Sequence, residues 1–427
     1  MRFLISRFFL AASVCSAAPA IAEDWYQFRG PSGNGASTDG NLPTNWGPDS
    51  NIKWKASIPG EGWSAPVIVS GKAIVTTAVS EGGKDPDSVH QWQVICLDEK
   101  TGESLWTKTA KVAKPTIRTH RDNTYASETS VSDGQRVLAY FGMTGLFCYD
   151  LDGNELWSKD LGSYAMRNDW GTSSSPVIKD GLVYIQVDIE ESSFIVALDM
   201  QTGEERWRKA REESSNWGSP IIWKNSIRTE LITSGNVIRS YDPANGEILW
   251  ELEFGRSGIN STPAGDNDLL VVGHVGRNGG GMFAVRAGAT GDISLNPGEK
   301  SNDYVAWTSD EGPGRSSPVV TSGLVYLLGS RGGMVTCMNA QTGEVVFKER
   351  VPGAGAFWAS PWIHDGKLFC TDENGKTFVL QPGNQLNVVA TNDLPIGQND
   401  RFWATAAMAN GAVFVRSTSA LYAITAE

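Results

Sequence analysis

One short pattern, a small residue and a hydroxyl residue before proline, returns along nearly the whole chain. It opens an apolar strand-like run, and a turn residue, usually glycine, follows five positions after the proline. Most neighbouring copies lie 43 to 47 residues apart, and two longer gaps of 63 and 55 residues mark insertions. A repeat of this length is typical of a β-propeller in which each repeat forms one blade. The third position of the eight copies, two of which lack proline, falls at residues 66, 129, 176, 220, 263, 318, 361 and 406.

A second motif alternates with the first. It begins with Asp or Asn, continues through Thr-Gly-Glu or a close variant, and ends with an aromatic residue three positions later. The Asp side chain caps a turn, Gly accepts a positive φ, and a strand follows on each side, so the motif predicts a β-hairpin. No segment shows a sustained helical period, and each repeat has room for four strands. The aromatic positions are Trp106, Trp157, Trp207, Trp250 and Phe347.

The eighth repeat ends near Ile424 without reaching this second motif. The run Ile52-Lys53-Trp54-Lys55 near the N-terminus matches Leu105-Trp106-Thr107-Lys108, an outer strand of the first repeat. Pairing the two ends in one blade would remove two exposed sheet edges. The sequence therefore predicts an all-β fold, an eight-bladed β-propeller of four-stranded blades over residues 52–427. We expect an N-terminal strand to complete its last blade and residues 23–51 to form an N-terminal extension.

Residues 1–22 have the features of a signal peptide. Arg2 and Arg7 precede an apolar, alanine-rich run, and Ala20-Ile21-Ala22 supplies the small residues that signal peptidases recognise. The apolar run is shorter than the roughly 20 residues that a membrane-spanning helix needs. We therefore expect a periplasmic or secreted protein with no membrane span.

The cysteines bear on two questions: whether the chain carries a lipid anchor, and whether it contains disulfides. Cys15 allows a second interpretation of the leader, lipid attachment and an outer-membrane location, although Val14 stands where a small residue usually precedes a lipidated cysteine. The other four cysteines stand in apolar strand-like runs with no adjacent pair, and we expect them to be buried free thiols. These four are Cys96, Cys148, Cys337 and Cys370.

The charge balance narrows the class of partner. The chain has 36 basic and 48 acidic residues, a net charge of −12, and the basic residues form no long run. Binding to nucleic-acid phosphates needs a basic surface, so we expect no nucleic-acid partner. We expect a monomer that binds a protein partner or a small ligand at one propeller face.

The two motifs together resemble the PQQ-like propeller repeat, which is found in quinoprotein dehydrogenases and in BamB-type assembly proteins. The resemblance covers residues 52–425 and implies the propeller fold. For a dehydrogenase it would also imply a disulfide of adjacent cysteines stacked on PQQ, a calcium ion held by carboxylates and an amide, and an aspartate base. This chain has no adjacent cysteines and no recognisable calcium-ligand cluster. We therefore expect no resident cofactor and keep PQQ with calcium as the disfavoured alternative.

One position of the first motif points to a binding face. In each repeat we consider the residue three positions before the mark. It is a tryptophan in four of the eight repeats, and in two others it is Asn260 or Arg315. Inner strands of propeller blades start at one face, so these side chains should form a ring at the channel mouth. Aromatic faces with a few polar groups suit a ligand or partner pocket, whereas a purely structural role would be to cover the gaps between blades. The tryptophans are Trp63, Trp217, Trp358 and Trp403.

The longer gap before the second mark contains a charged insertion, residues 116–125. Arg118, His120 and Arg121 should lie over the same face, where they could hold an anionic group. The alternative is a solvated loop whose arginines pair with neighbouring acids. Glu128, just after the insertion, is expected beside the channel as a partner of Arg118 or Arg121.

Familiar catalytic arrangements are missing from the sequence. The four histidines have no metal-ligand spacing, and there is no nucleophile elbow or phosphate loop. We therefore predict an exported, non-catalytic propeller that acts as a protein- or ligand-binding scaffold in the cell envelope. The alternative is a PQQ-dependent or carbohydrate-active enzyme that uses the Trp/Arg/His pocket.

Overall fold

A computed structural model describes residues 24–276, 279–397 and 400–426. Eight sheets, each built on four antiparallel strands, confirm the eight-bladed propeller. Within each blade, consecutive strands pair as a meander from the inner strand at the channel to the outer strand. The predicted signal peptide, residues 1–22, lies outside the described residues.

Blades 1 to 4 follow one another along the chain. Blade 1 contains Val67–Val69, Lys72–Val79, His90–Asp98 and Ser104–Ala113; blade 2 contains Val131–Ser132, Arg136–Tyr140, Leu146–Asp150 and Glu155–Lys159. Blade 3 contains Val177–Lys179, Leu182–Val187, Ser193–Asp199 and Glu205–Arg211; blade 4 contains Ile221–Lys224, Thr229–Thr233, Val237–Tyr241 and Ile248–Glu253.

Blades 5 to 8 complete the circle. Blade 5 contains Ala264–Gly265, Leu269–Gly276, Gly279–Arg286 and Val305–Ser309; blade 6 contains Val319–Thr321, Leu324–Leu328, Met334–Asn339 and Val345–Arg350. Blade 7 contains Trp362–His364, Lys367–Thr371, Thr377–Leu380 and Val388–Asn392; blade 8 contains Ala407–Ala409, Ala412–Arg416, Ala420–Thr425 and, as its outer strand, Ile52–Ser57. Two short 3-10 helices, Gly142–Thr144 and Arg167–Asp169, lie between strands.

The predicted closure of blade 8 is confirmed. Ile52–Ser57 runs antiparallel to Ala420–Thr425, with Ala56 opposite Leu421. Trp54 of this strand then reaches blade 1, where its indole N–H donates to the carbonyl of Glu99 at 3.0 Å. The first strand of the propeller thus joins its last blade to its first.

The outer tryptophans join the blades in the way that the second motif predicts. The indole N–H of Trp106 donates to a turn carbonyl of blade 2, and those of Trp157 and Trp207 do the same for blades 3 and 4, at 3.0 to 3.1 Å. Each ring lies on the turn glycine of the next blade. At Gly203, with φ of +72°, an added Cβ would lie 2.7 Å from the Trp157 ring. Glycine is required there both by the backbone conformation and by the close approach.

The two insertions are used differently. In the first gap, blade 1 gains unusually long strands of 8 to 10 residues, and the remainder of the extra length forms the loop over the channel mouth. In the second gap, Gly291–Asp292 pairs in parallel with the outer strand Ile248–Glu253. Blade 4 therefore carries a short fifth strand outside the four that the repeat predicts.

The mark of the second repeat needs a correction of one residue. Inner strands begin directly after the third position of the motif, and that of blade 2 begins at Val131. The third position is therefore Ser130 and not Thr129. Ser127, rather than Ala126, occupies the mouth position of this blade. The absence of proline had left the alignment of this copy without a fixed point.

The N-terminal extension winds across the end of the channel opposite the mouth. Trp25 exchanges two backbone hydrogen bonds with Ile68 of blade 1, at 2.8 and 2.9 Å, and Tyr26 accepts one from Ser132 of blade 2. Gln27 accepts from the backbone of Ile178 in blade 3. The fully buried Arg29 donates to carbonyls of blades 5 and 6, and later residues of the extension contact blades 6, 7 and 8. One short segment thus bonds to seven of the eight blades.

The described residues also settle two simpler points. The four cysteines outside the leader are buried free thiols, as predicted. Neither of the two helices in the described part of the chain has the length and apolarity to cross a membrane.

Candidate functional site

A circular chain of hydrogen bonds forms the wall of the channel. In blades 1 to 7, the second residue of the first motif donates its backbone N–H to the hydroxyl of the equivalent Ser or Thr in the next blade, at 2.9 to 3.1 Å. Seven such bonds link blades 1 through 8. The ring is open between blades 8 and 1 because Ala65 has no hydroxyl. The hydroxyls belong to Thr129, Ser175, Ser219, Thr262, Ser317, Ser360 and Thr405.

This wall surrounds a cavity of about 1340 Å³. Phe28, from the N-terminal extension, contributes to its lining at the closed end. At the mouth, eight of the ten predicted site residues line it. They are Trp63, His120, Arg121, Trp217, Asn260, Arg315, Trp358 and Trp403. That these residues bind a ligand stays a prediction.

The tryptophans form two groups instead of an even ring. Trp358 and Trp403 stack with ring centroids 4.1 Å apart, and Trp63 meets Trp403 edge-on at 4.3 Å. These three come from neighbouring blades 7, 8 and 1. Trp217, from blade 4 on the opposite side, packs edge-on against Trp170 at 6.3 Å.

The charged insertion crosses the mouth between the two groups. Asp122 reaches Arg315 of blade 6, with carboxylate and guanidinium atoms 3.4 Å apart. The guanidinium of Arg315 lies 3.6 Å from the ring centroid of Trp358 and 6.0 Å from that of Trp170. His120 stacks on Trp170 at 3.9 Å. Arg315 therefore connects the two aromatic groups through cation–π contacts.

The lining is strongly cationic although the protein carries a net charge of −12. It contains five arginines and, among the described residues, a single carboxylate, that of Asp122. His274 also lines the cavity, and burial lowers the pKa of its imidazole, so it stays neutral at pH 7. A concave site with charges of one sign concentrates the field that ligands of opposite charge meet. The arginines are Arg121, Arg167, Arg256, Arg315 and Arg331.

A buried ion cluster supports the Trp217 side of the mouth. Arg211 is fully buried and donates to both carboxylate oxygens of Asp188, at 2.8 and 3.1 Å. Asp188 also accepts from the Asn216 amide, and Asn216 in turn accepts from the backbone of Gly258 and Ile259. The neighbouring carboxylate raises the pKa of Arg211 against the effect of burial, so the guanidinium remains charged. The cluster fixes two loops that line the cavity.

Two predicted site residues lie elsewhere. Arg118 is exposed and does not line the cavity. Glu128 is 1% exposed and bonds to Thr172, and it pairs with neither Arg118 nor Arg121. Burial raises the pKa of Glu128 to about 7. The expectation for Glu128 was wrong because a side chain one residue before the hydroxyl ring points between blades 2 and 3, away from the channel.

Trp170 is the aromatic residue that the sequence analysis missed. It lies six positions before the mark of the third repeat, because three additional residues separate it from the proline. The pair Trp170-Gly171 repeats Trp217-Gly218 of the next repeat, and this dipeptide was the available signal. The backbone carbonyl of Trp170 accepts a hydrogen bond from the side-chain amide of Asn123, and this bond ties the insertion to blade 3.

The lining does not fit a quinone–calcium centre. Calcium takes six to eight oxygen ligands, largely carboxylates and carbonyls, and the only carboxylate in the described lining is engaged with Arg315. No group of three His, Cys, Asp or Glu residues in the described chain is arranged to hold a metal ion. The adjacent cysteines that would stack on the quinone are also missing from the sequence. What the arrangement does offer is recognition of anionic and aromatic groups.

Comparison with known proteins identifies relatives over a large part of the propeller. A family model described as outer membrane protein assembly factor BamB matches residues 36–220 and 233–387, well over half of the chain. The BamB of Burkholderia pseudomallei is 24% identical over 306 residues, which are 65% of this chain and 72% of that protein. A tetrathionate hydrolase of Acidithiobacillus ferrooxidans is 22% identical over 242 residues, 50% of this chain and 45% of that enzyme.

Solved structures share the fold at low sequence identity. BamB from Moraxella catarrhalis superposes with a TM-score of 0.59 at 14% identity, covering 87% of this chain and 96% of that one. A europium-containing methanol dehydrogenase superposes with a TM-score of 0.63 at 12% identity, covering 92% and 89%. Because the same architecture occurs in an assembly factor and in a dehydrogenase, the fold alone does not decide between binding and catalysis.

Proposed function

The chain belongs to the protein family described as outer membrane protein assembly factor BamB, and on that premise we propose that it is a non-catalytic scaffold of the cell envelope that holds a partner at the mouth of its channel. The proposal includes a periplasmic or secreted location, a monomeric propeller and no resident cofactor. The leader and the family support the location. The scarcity of carboxylates in the described cavity lining supports the absence of a quinone–calcium centre.

The observation that carries the proposal is the composition of the mouth. Five tryptophans and five arginines line one open cavity of about 1340 Å³. Tryptophan and arginine are the residues most enriched where proteins bind one another tightly. Pockets for drug-sized ligands occupy roughly 300 to 1,000 Å³, so this cavity can accept a segment of a protein.

Site-specific cross-linking tests the proposal directly. We would place a photo-crosslinking amino acid at Arg331, which is exposed and lines the cavity, and express the full chain in the native envelope. We expect a discrete adduct with an envelope protein. Position Asn41, exposed on the N-terminal extension at the closed end, is the matched control and should give none. Equal adducts from both positions, or none from Arg331, would contradict the proposal.

Binding of a cofactor or substrate separates the scaffold from the enzyme alternative. A ligand that binds the native state raises the melting temperature, and at a given concentration a tighter ligand raises it further. For the scaffold, calcium should not increase any effect of PQQ on the melting temperature, simple sugars should leave it unchanged, and neither a sugar nor tetrathionate should be turned over. A rise with PQQ that requires calcium, or turnover of a sugar or of tetrathionate, would favour an enzyme and overturn the proposal.

A further inference from the structure

The cavity mouth holds an internal ion pair, between Arg315 and Asp122. Arg315 and Asp122 stand on elements that are far apart in sequence, blade 6 and the insertion before blade 2, and they meet over the channel. Their side chains are 32% and 26% exposed, so both remain accessible to a ligand entering the mouth. The atoms are 3.4 Å apart, longer than the usual 2.7 to 2.9 Å of a charge-assisted hydrogen bond.

Arg315 is held in a defined plane. Its guanidinium lies 3.6 Å above the Trp358 ring, and Trp358 is stacked on Trp403. An arginine fixed in this way presents its N–H groups as a fork that matches a carboxylate. A stacked guanidinium also loses less conformational freedom when it binds, which favours recognition of an anion here.

Asp122 is positioned by the insertion itself. The next residue, Asn123, is buried and donates to the carbonyls of Trp170 and Thr172, at 2.8 and 3.0 Å. The backbone N–H of Asp122 donates to the His120 ring at 3.1 Å. These bonds hold the insertion across the mouth and keep the carboxylate beside Arg315.

From this geometry we propose that the mouth binds an acidic, extended peptide segment of the partner, and that Asp122 competes with the partner's carboxylates for Arg315. The inference rests on the proposed function and names the chemistry of its partner. Four further arginines line the same cavity. Arg167 is paired with Glu190 at 2.9 Å and Arg121 lies 3.8 Å from Asp122, so further carboxylates of the segment would exchange with acids of the protein there as well. The size of the cavity favours a peptide over a single small anion.

Intrinsic tryptophan fluorescence of the full chain can report binding, because the mouth itself contains tryptophans. The probe is a capped dodecapeptide of alternating glutamate and serine, and its neutral counterpart has glutamine in place of glutamate. We expect saturable quenching by the acidic peptide, weakened when salt is raised from about 0.05 to 0.5 M, since screening shortens the range of charge interactions. The glutamine peptide should bind much more weakly. Equal binding of the two peptides would overturn the proposal, as would equally tight binding of citrate alone.

Three variants test the competition. Arg315→Ala should weaken binding of the acidic peptide about tenfold or more, as expected for a hydrogen bond between charged groups, and Arg315→Lys should fall between, since it keeps the charge without the fork. Asp122→Asn should tighten binding about two- to fivefold, the strength of a partly exposed ion pair. In the double variant that gain should vanish. A gain from Asp122→Asn that persists without Arg315 would contradict the competition.

A matched control and the native partner complete the experiment. Arg206→Ala removes an arginine that is 51% exposed on the outer strand of blade 3 and should leave binding unchanged. If the envelope protein cross-linked at the mouth is still captured by Arg315→Ala and at high salt, the inference is wrong while the proposed function stands. If no envelope protein is captured and neither peptide binds, both are wrong.

Discussion

The two ends of the channel are built in opposite ways. The closed end is a single continuous segment, residues 24–51, whose backbone and buried side chains bond to seven blades. The mouth is assembled from side chains of separate loops, with one insertion crossing between tryptophan groups that come from opposite blades. Its contacts are stacked rings and partly exposed charges.

The difference shows where stability and recognition reside in this fold. Buried, fully packed groups such as Trp25 are expensive to remove, and backbone bonds to the blades leave the closed end little freedom. Partly exposed ion pairs are worth little and can be exchanged for a ligand. The propeller is therefore expected to be rigid at one end and adaptable at the other.

The largest expected effect separates the two ends by stability. Trp25→Ala at the closed end removes a side chain that is 2% exposed and should lower the free energy of unfolding by about 3 to 5 kcal/mol, as buried aromatic truncations do. Trp403→Ala at the mouth removes a partly exposed ring and should cost about 1 to 3 kcal/mol. Urea denaturation of both variants measures the difference, and a larger loss for Trp403→Ala would reverse the comparison.

The second effect concerns pH and lies on the mouth side. Burial raises the pKa of Glu128 to about 7 from 4.5, so the folded state holds this proton more tightly than the unfolded state. The resulting stabilisation is fully present below about pH 4.5 and is lost as pH rises to about 7, a change of roughly 3 kcal/mol. Arg29 at the closed end, whose pKa burial lowers to about 9, changes stability only above that pH.

Denaturation midpoints between pH 5 and pH 8 test this assignment. Glu128→Gln keeps the shape of the side chain without its titration, so it should flatten the decline that the wild type shows in this window. Glu344→Gln, at an exposed turn of blade 6, should leave the decline intact. A wild-type decline that survives Glu128→Gln would mean that another group carries it.

The smallest effect lies between the two ends, in the hydroxyl ring. Ser360→Ala removes the acceptor of the Ser317 N–H and should destabilise the protein by about 1 kcal/mol. Ala65→Ser supplies the hydroxyl at the one open position and should stabilise it by about 0.5 to 1 kcal/mol. Thermal unfolding of both variants gives the signs. A loss on Ala65→Ser would show that the ring has no room for an eighth hydroxyl.

The fold was predictable because its signals are local and repeated. Proline before the inner strand and glycine in the hairpin turn act through backbone geometry within a few residues. Because the motif occurs eight times, one degenerate copy does not hide the repeat. The closing role of Trp54 followed from the same counting. The one-residue error at Thr129 arose in a copy that had lost its proline, where counting had no fixed point.

The candidate site was predictable only as far as the repeat position reached. Counting placed Trp63, Trp217, Trp358 and Trp403 at the mouth, but it could not show that they form two groups. The pairing of Asp122 with Arg315 joins an irregular insertion to a distant blade, and no periodicity encodes such a contact. Whether Glu128 faces the channel or the space between blades depends on the direction of its side chain, which the sequence pattern does not specify. Such features follow from tertiary packing, which single-sequence patterns do not contain.

The outer strand of blade 8, Ile52–Ser57, has a consequence for when the protein can complete its folding. Ile52–Ser57 is the first propeller strand to be synthesised, yet its partner Ala420–Thr425 is the last. Domains that complete early can fold while the remainder of the chain is still being made, whereas this ring has no closed form until its final residues are available. Blade 8, and with it the ring, therefore cannot be completed before Ala420–Thr425 has been synthesised.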